Sequence, residues 1–147
     1  MNYLIDVNVW VALALVGHVH HVAARAWFEG DESNDAGLFF CRVTQKGLLR
    51  LLTNRRIMGE NTLGAVGAWR YYDTLCEDSR VRFAAEPPRL EPLWRESTLL
   101  WHIEGPNIWT DSYLSAFAIA AGFTVVTFDR GFRHQRGTAV RILSARQ

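Results

Sequence analysis

Short apolar runs alternate along this chain with longer segments in which apolar residues recur at helical spacing. Tyr3-Leu4-Ile5 reads as a buried strand that stops at Asp6. Val7 to Val16 then reads as a helix, apolar on nearly every side apart from Asn8 and ended by Gly17. A second helix is predicted from about Val19 to Glu29, with Val22, Ala23, Ala26 and Trp27 inward, followed by a loop from Gly30 to Gly37. Leu38-Phe39-Phe40-Cys41 is the next strand. After it, Thr44 is placed to cap a helix that turns Leu48, Leu51 and Leu52 inward and Arg42, Lys46 and Arg50 to the other side.

Ile57 to Gly67 reads as irregular, and a helix from about Ala65 to Glu77 is expected to bring Trp69, Tyr72 and Leu75 to the core. Val81 to Ala84 is a weaker strand and Pro87-Pro88 a break. Leu90 to His102 is helical by period, and Thr110 is placed to cap a helix from Asp111 to Ala121. Phe123 to Phe128 is a strand ending at Asp129, and Val140 to Leu143 follows after a short turn. Strands separated by helices predict a single α/β domain over residues 1–147, with a central parallel sheet flanked by helices on both faces.

Composition fits this. Of 147 residues 49% are hydrophobic and 21% charged, an ordinary balance for a globular domain. The apolar stretch Val9 to Val16 is far shorter than the about 20 residues needed to span a bilayer and lacks a preceding cation, so a soluble cytoplasmic protein is expected. Cys41 and Cys76 have neither metal-site nor disulfide-framework spacing and read as free thiols. A net charge of +1 argues against tight non-specific nucleic-acid binding. It leaves room for an acidic site that becomes positive only on taking up a divalent cation. Among the 16 basic residues only Lys46 is lysine, a bias toward bidentate phosphate contacts.

Four polar positions are expected at one edge of the sheet. Asp6 and Asp129 end strands, and Gln45 and Asp111 open helices that start on the same carboxyl side. Crowded carboxylates repel unless a cation neutralises them, and hard oxygen ligands select Mg²⁺ or Mn²⁺. Such an ion supports phosphodiester hydrolysis. Asn8 is placed to orient a ligating carboxylate. Each acid also has an ordinary role open to it: Asp6 as a helix cap, Asp111 as a charge in a first helical turn, Asp129 as a turn residue before Gly131.

Leu4-Ile5-Asp6-Val7-Asn8-Val9, Thr44 to Asn54, Trp109 to Leu114 and Thr127-Phe128-Asp129-Arg130-Gly131-Phe132 together resemble the PIN-domain family, and within it the VapC-type toxin ribonucleases. The resemblance implies a Mg²⁺- or Mn²⁺-dependent endoribonuclease, a small VapB-type antitoxin that blocks the site, a homodimer, and products with 5′-phosphate and 3′-hydroxyl ends. It matches Asp6, Asp111 and Asp129 to the family's metal-binding acids. Gln45 stands where the family pattern usually has Glu, which would weaken any second metal; Glu104 is a possible compensating acid.

Other features have plainer readings. His18, His20 and His21 lack partners that would complete a zinc site and are expected on the surface at a helix start. Lys46 and Arg50 are either a solvated helix face or contacts to RNA phosphates. Trp109 is either a base-stacking residue or an anchor packed in the core or a loop. Two rival functions remain at this level. A phosphatase with Asp6 as nucleophile is disfavoured by Asn8 where a second acid belongs. A degenerate domain, weakened at Gln45, would bind RNA or protein without cutting.

Overall fold

A computed structural model describes residues 1–100, 105–135 and 137–144. In chain order the regular elements are β1 Asn2–Ile5, α1 Val7–Ala14, α2 His21–Glu29, β2 Gly37–Phe40, α3 Arg42–Leu52 and the short α4 Arg55–Met58. They continue with α5 Ala65–Cys76, β3 Val81–Phe83, α6 Leu90–Leu100, α7 Ile108–Ala121, β4 Thr124–Thr127 and β5 Val140–Ile142. The strands form one parallel sheet in the order β3-β2-β1-β4-β5. From β1 the chain winds outward to β2 and β3, then returns to place β4 on the other side of β1. The crevice at the carboxyl ends of β1 and β4 is therefore the switch point of the sheet, where such folds bind ligands.

Period-two alternation sends successive strand residues to opposite faces. Ile5, Leu38, Phe40 and Val126 meet α1, α2, α3 and α5 in one buried cluster, where Trp10 of α1 stacks on Phe40 at 4.0 Å between ring centres. Leu4 and Val125 face the other way, onto Leu114 and Phe117 of α7 and Leu90 of α6. The apolar character of α1 is explained by this burial, since Val9, Trp10, Val11 and Ala12 are all enclosed. At Gly47, α3 comes so close to α1 that an added Cβ would lie 2.6 Å from a Val7 methyl. Gly122, with φ of 74°, takes the left-handed conformation that closes α7.

Several boundaries and faces depart from the sequence expectation. Cys41, not Thr44, precedes the first turn of α3. Thr44 sits inside that turn and its hydroxyl accepts from the Cys41 N–H at 3.0 Å. Helix α7 begins at Ile108, so Asp111 lies within its first turn instead of opening it, and α1 ends at Ala14. The segment expected to be irregular, Ile57 to Gly67, takes in the end of α4 and a single 3₁₀ turn, Gly59–Asn61, and the turn before β5 holds a 3₁₀ helix, Arg130–His134. Val22 and Trp69, expected inward, are exposed, because Ala23, Ala24 and Trp27 form the buried face of α2 while Ala68 and Tyr72 form that of α5. Cys41 and Cys76 are free thiols. No described helix is long and apolar enough to cross a membrane.

Candidate functional site

Asp6 follows β1 and Asp129 follows β4, adjacent strands, so the two acids emerge side by side at the carboxyl edge. The first turn of α7 brings Asp111 to them. All three line one open cavity of about 550 Å³, together with Asn8, His18, Lys46, Gly47, Arg50, Asn107 and Thr110. The convergence expected for the three acids is thus present in the geometry.

Thr127 is the pin of this arrangement. It is fully buried, and its hydroxyl donates to Asp6 Oδ2 at 2.8 Å while accepting from the Asp129 N–H at 3.0 Å and the Asn8 amide at 3.1 Å. One donor and two acceptor positions are all a hydroxyl has, so Thr127 is saturated and holds both acids. Asp6 Oδ1 accepts from the Val7 N–H at 2.7 Å, which caps α1. Asn8 reaches Asp6 Oδ2 only at 3.4 Å and accepts from the Phe128 N–H at 3.2 Å. It therefore orients Asp6 chiefly through Thr127 and the end of β4. Asp129 Oδ1 accepts from the Gly131 N–H at 2.8 Å. Thr127 carries no charge, and its part in the site is visible only once β1 and β4 are paired.

The electrostatics favour a cation. Burial pushes the Asp6 carboxyl above the ordinary carboxylate range, against hydrogen bonds from Thr127 and Val7, with a further rise from Asp129. Asp111 is pushed up to about 7, first by burial and then by Asp6 and Asp129. Unneutralised, Asp6 and Asp111 cannot both hold their charge comfortably at neutral pH.

Other expected residues fall differently. Lys46 and Arg50 line the acidic cavity, so this face of α3 borders the site. Gln45 does not. It is buried, its Oε1 accepts from the Arg42 guanidinium at 2.6 Å, its side chain hydrogen-bonds Tyr72, and it borders a separate cavity toward α5. From α3 the acidic cavity is lined by Val43, Lys46, Gly47, Arg50 and Leu51, none with a side-chain oxygen ligand.

The histidines are more than a surface cluster. His18 lines the cavity and its Nδ1 accepts from the His20 N–H at 3.0 Å, which leaves the neutral ring's proton on Nε2. Burial, then His20 and His21, lower its pKa. His20 stacks on Phe128, and His21 Nδ1 donates to the Ala12 carbonyl at 2.7 Å, closing α1. Trp109 is largely exposed, packs edge-on against Trp94 and lies outside the acidic cavity. Glu104 lies outside the described residues.

The parallel α/β sheet gathers three acids at its switch point, and residues 3–137 match the PIN domain family model. The chain belongs to the PIN-domain family. It is 44% identical to Ribonuclease VapC41 of Mycobacterium tuberculosis over 146 residues, covering 96% of this chain and 98% of that protein. It is 33% identical to Ribonuclease VapC38 of the same species, over 87% of this chain and 85% of the relative. In fold it is similar to VapBC2 from Rickettsia felis, solved bound to a promoter DNA fragment, with a TM-score of 0.73, 15% identity and coverage of 98% and 100%. It is also similar to M. tuberculosis VapC20, described as a sarcin-ricin loop cleaving toxin, with a TM-score of 0.64, 21% identity and coverage of 95% and 98%.

Proposed function

We propose that this chain is a Mg²⁺- or Mn²⁺-dependent endoribonuclease, the toxin of a VapBC-type toxin–antitoxin pair. The observation that carries the reading is the meeting of Asp6, Asp111 and Asp129 with Lys46 and Arg50 around one cavity. The close likeness to a VapC ribonuclease along nearly the whole chain supports it.

The residues fit a hard divalent cation. The donors are oxygens, and Asp111, raised to about 7, gains its full charge most easily beside a positive ion. Among the described residues no three His, Cys, Asp or Glu side chains form a ready-made ligand group. Asp6, Asp111 and Asp129 are the residues that would hold the ion. Because Gln45 is tied to Arg42 and Tyr72, the reading requires only one ion. When bound, the cation supplies a lowered water pKa and charge stabilisation on phosphoryl oxygens.

The chain's own groups do the rest. Arg50 and Lys46 hold backbone phosphates at the rim of the cavity, positioning the strand without reading its sequence. His18, with Nδ1 already engaged, offers Nε2–H to a phosphate oxygen. Thr127 and Asn8 keep Asp6 and Asp129 from separating. The expected products carry 5′-phosphate and 3′-hydroxyl ends.

The test is RNA cleavage by purified protein with Mg²⁺, Mn²⁺ or chelator, comparing wild type with Asp111→Asn and mapping new ends. Metal-dependent cuts lost in the variant support the reading, and 2′,3′-cyclic phosphate ends would remove it. Pairing with a small antitoxin and homodimer formation belong to the same proposal. Light scattering of the chain alone, and then co-expressed with a VapB-type antitoxin, measures both.

A further inference from the structure

We propose that the cavity between α3 and α5 is a nucleobase subsite on the RNA path, with the Trp69 indole as its stacking platform. This rests on the ribonuclease reading. The cavity, about 520 Å³, is bordered by Arg42, Gln45, Lys46, Arg50, Ala68 and Trp69 among others. Lys46 and Arg50 also border the acidic cavity, so the two spaces share a wall made of the two cations assigned to phosphate contacts. A strand whose phosphates cross that wall has bases on either side of it.

The far side is built for a base. Trp69 is 48% exposed although the helical period would bury it, and it is held edge-on to Tyr72, with ring centres 5.9 Å apart at 86°. Tyr72 is braced in turn by Phe40 and by a hydrogen bond with Gln45. Gln45 also fixes Arg42, whose guanidinium lies 4.5 Å over the Phe83 ring. The platform and Arg42 are thus positioned before any ligand arrives, which lowers the entropic cost of binding. The cavity's border carries three cations and no acid, complementary to a polyanion. Aromatic stacking beside a basic groove is how single-stranded nucleic acid is held without sequence readout.

The test uses the full chain carrying Asp111→Asn, which holds turnover off, and single-stranded RNA oligomers of increasing length. Affinity is read by anisotropy and stacking by the emission of 2-aminopurine placed along the oligomer. Affinity is expected to rise once the oligomer spans both cavities, and Trp69→Ala to cost about 5- to 150-fold on the longer oligomers. The 2-aminopurine quenching is expected to be lost with it. Trp69→Leu, which keeps bulk without the ring, is expected to lose binding similarly and Trp69→Phe to keep most of it; thermal melts confirm that each variant is folded.

Equal affinity in Trp69→Ala or Trp69→Leu would overturn the proposal and leave the face to a protein partner. A comparable loss on changing Trp109→Ala would place the platform elsewhere and overturn it too. If the parent binds no oligomer of any length, the ribonuclease reading fails along with it, an outcome distinct from failure at Trp69 alone.

Discussion

Replacing Asp111 by Asn is expected to stabilise the metal-free protein while destroying its response to metal. The folded-state pKa of Asp111 is about 7 against an ordinary 3.8, so between those values the folded chain holds a proton that the unfolded chain has released. Stability therefore falls as pH rises through that window, and the full penalty applies above it. The shift alone would correspond to about 4 kcal/mol at 1.36 kcal/mol per unit. Asp111 is only half-buried, and solvent screening reduces this to about 1–2 kcal/mol.

Asn keeps the shape and removes the charge. In chelator at pH 8 the variant is expected to melt roughly 3–6 °C above wild type, with the gain vanishing near pH 4. Mn²⁺ is expected to raise the wild-type melting temperature, more at pH 8 than at pH 5, and to leave the variant nearly unmoved. Thermal unfolding across pH, with and without the ion, measures all of this. A variant no more stable than wild type at pH 8 in chelator would refute the claim that the carboxylates strain one another.

Thr127→Val removes the hydroxyl shared by Asp6, Asn8 and the Asp129 N–H. It is expected to cost about 1–3 kcal/mol in denaturant unfolding and about 10- to 100-fold in Mn²⁺ affinity by calorimetry. Arg50→Ala is expected to weaken binding of single-stranded RNA by a similar factor for all sequences, lowering the slope of log K against log salt by about 0.7; a loss confined to one sequence would contradict a phosphate contact. Gly47→Ala drives a methyl against Val7 and is expected to cost about 1–3 kcal/mol, with Val7→Ala in the same chain restoring much of it, as measured by a double-mutant cycle.

The fold was largely legible because strand and helix periods differ and because each buried strand here is short, apolar and closed by a polar residue. Errors gathered at helix ends and faces. Thr44 looks like a cap, but the backbone had already turned helical at Arg42. Val22 and Trp69 fit an apolar period, yet small neighbours, Ala24 and Ala68, take the buried positions and leave the larger side chains outside. Such choices depend on how much room the opposing layer leaves, which local periodicity does not encode.

By itself the sequence determined the strand and helix order, the parallel sheet, and the three acids that the switch point gathers, since strand ends and helix starts share one edge in any right-handed β-α-β winding. Tertiary structure alone decided what surrounds them. Adjacent residues of a helix point about 100° apart, so Lys46 reaches the acidic cavity while Gln45 borders only the one toward α5, a choice that follows from how α3 packs against α1 at Gly47. The pairing of β1 with β4 likewise brings Thr127 to Asp6 across 121 residues of chain, a hydrogen bond that register creates and no local pattern announces.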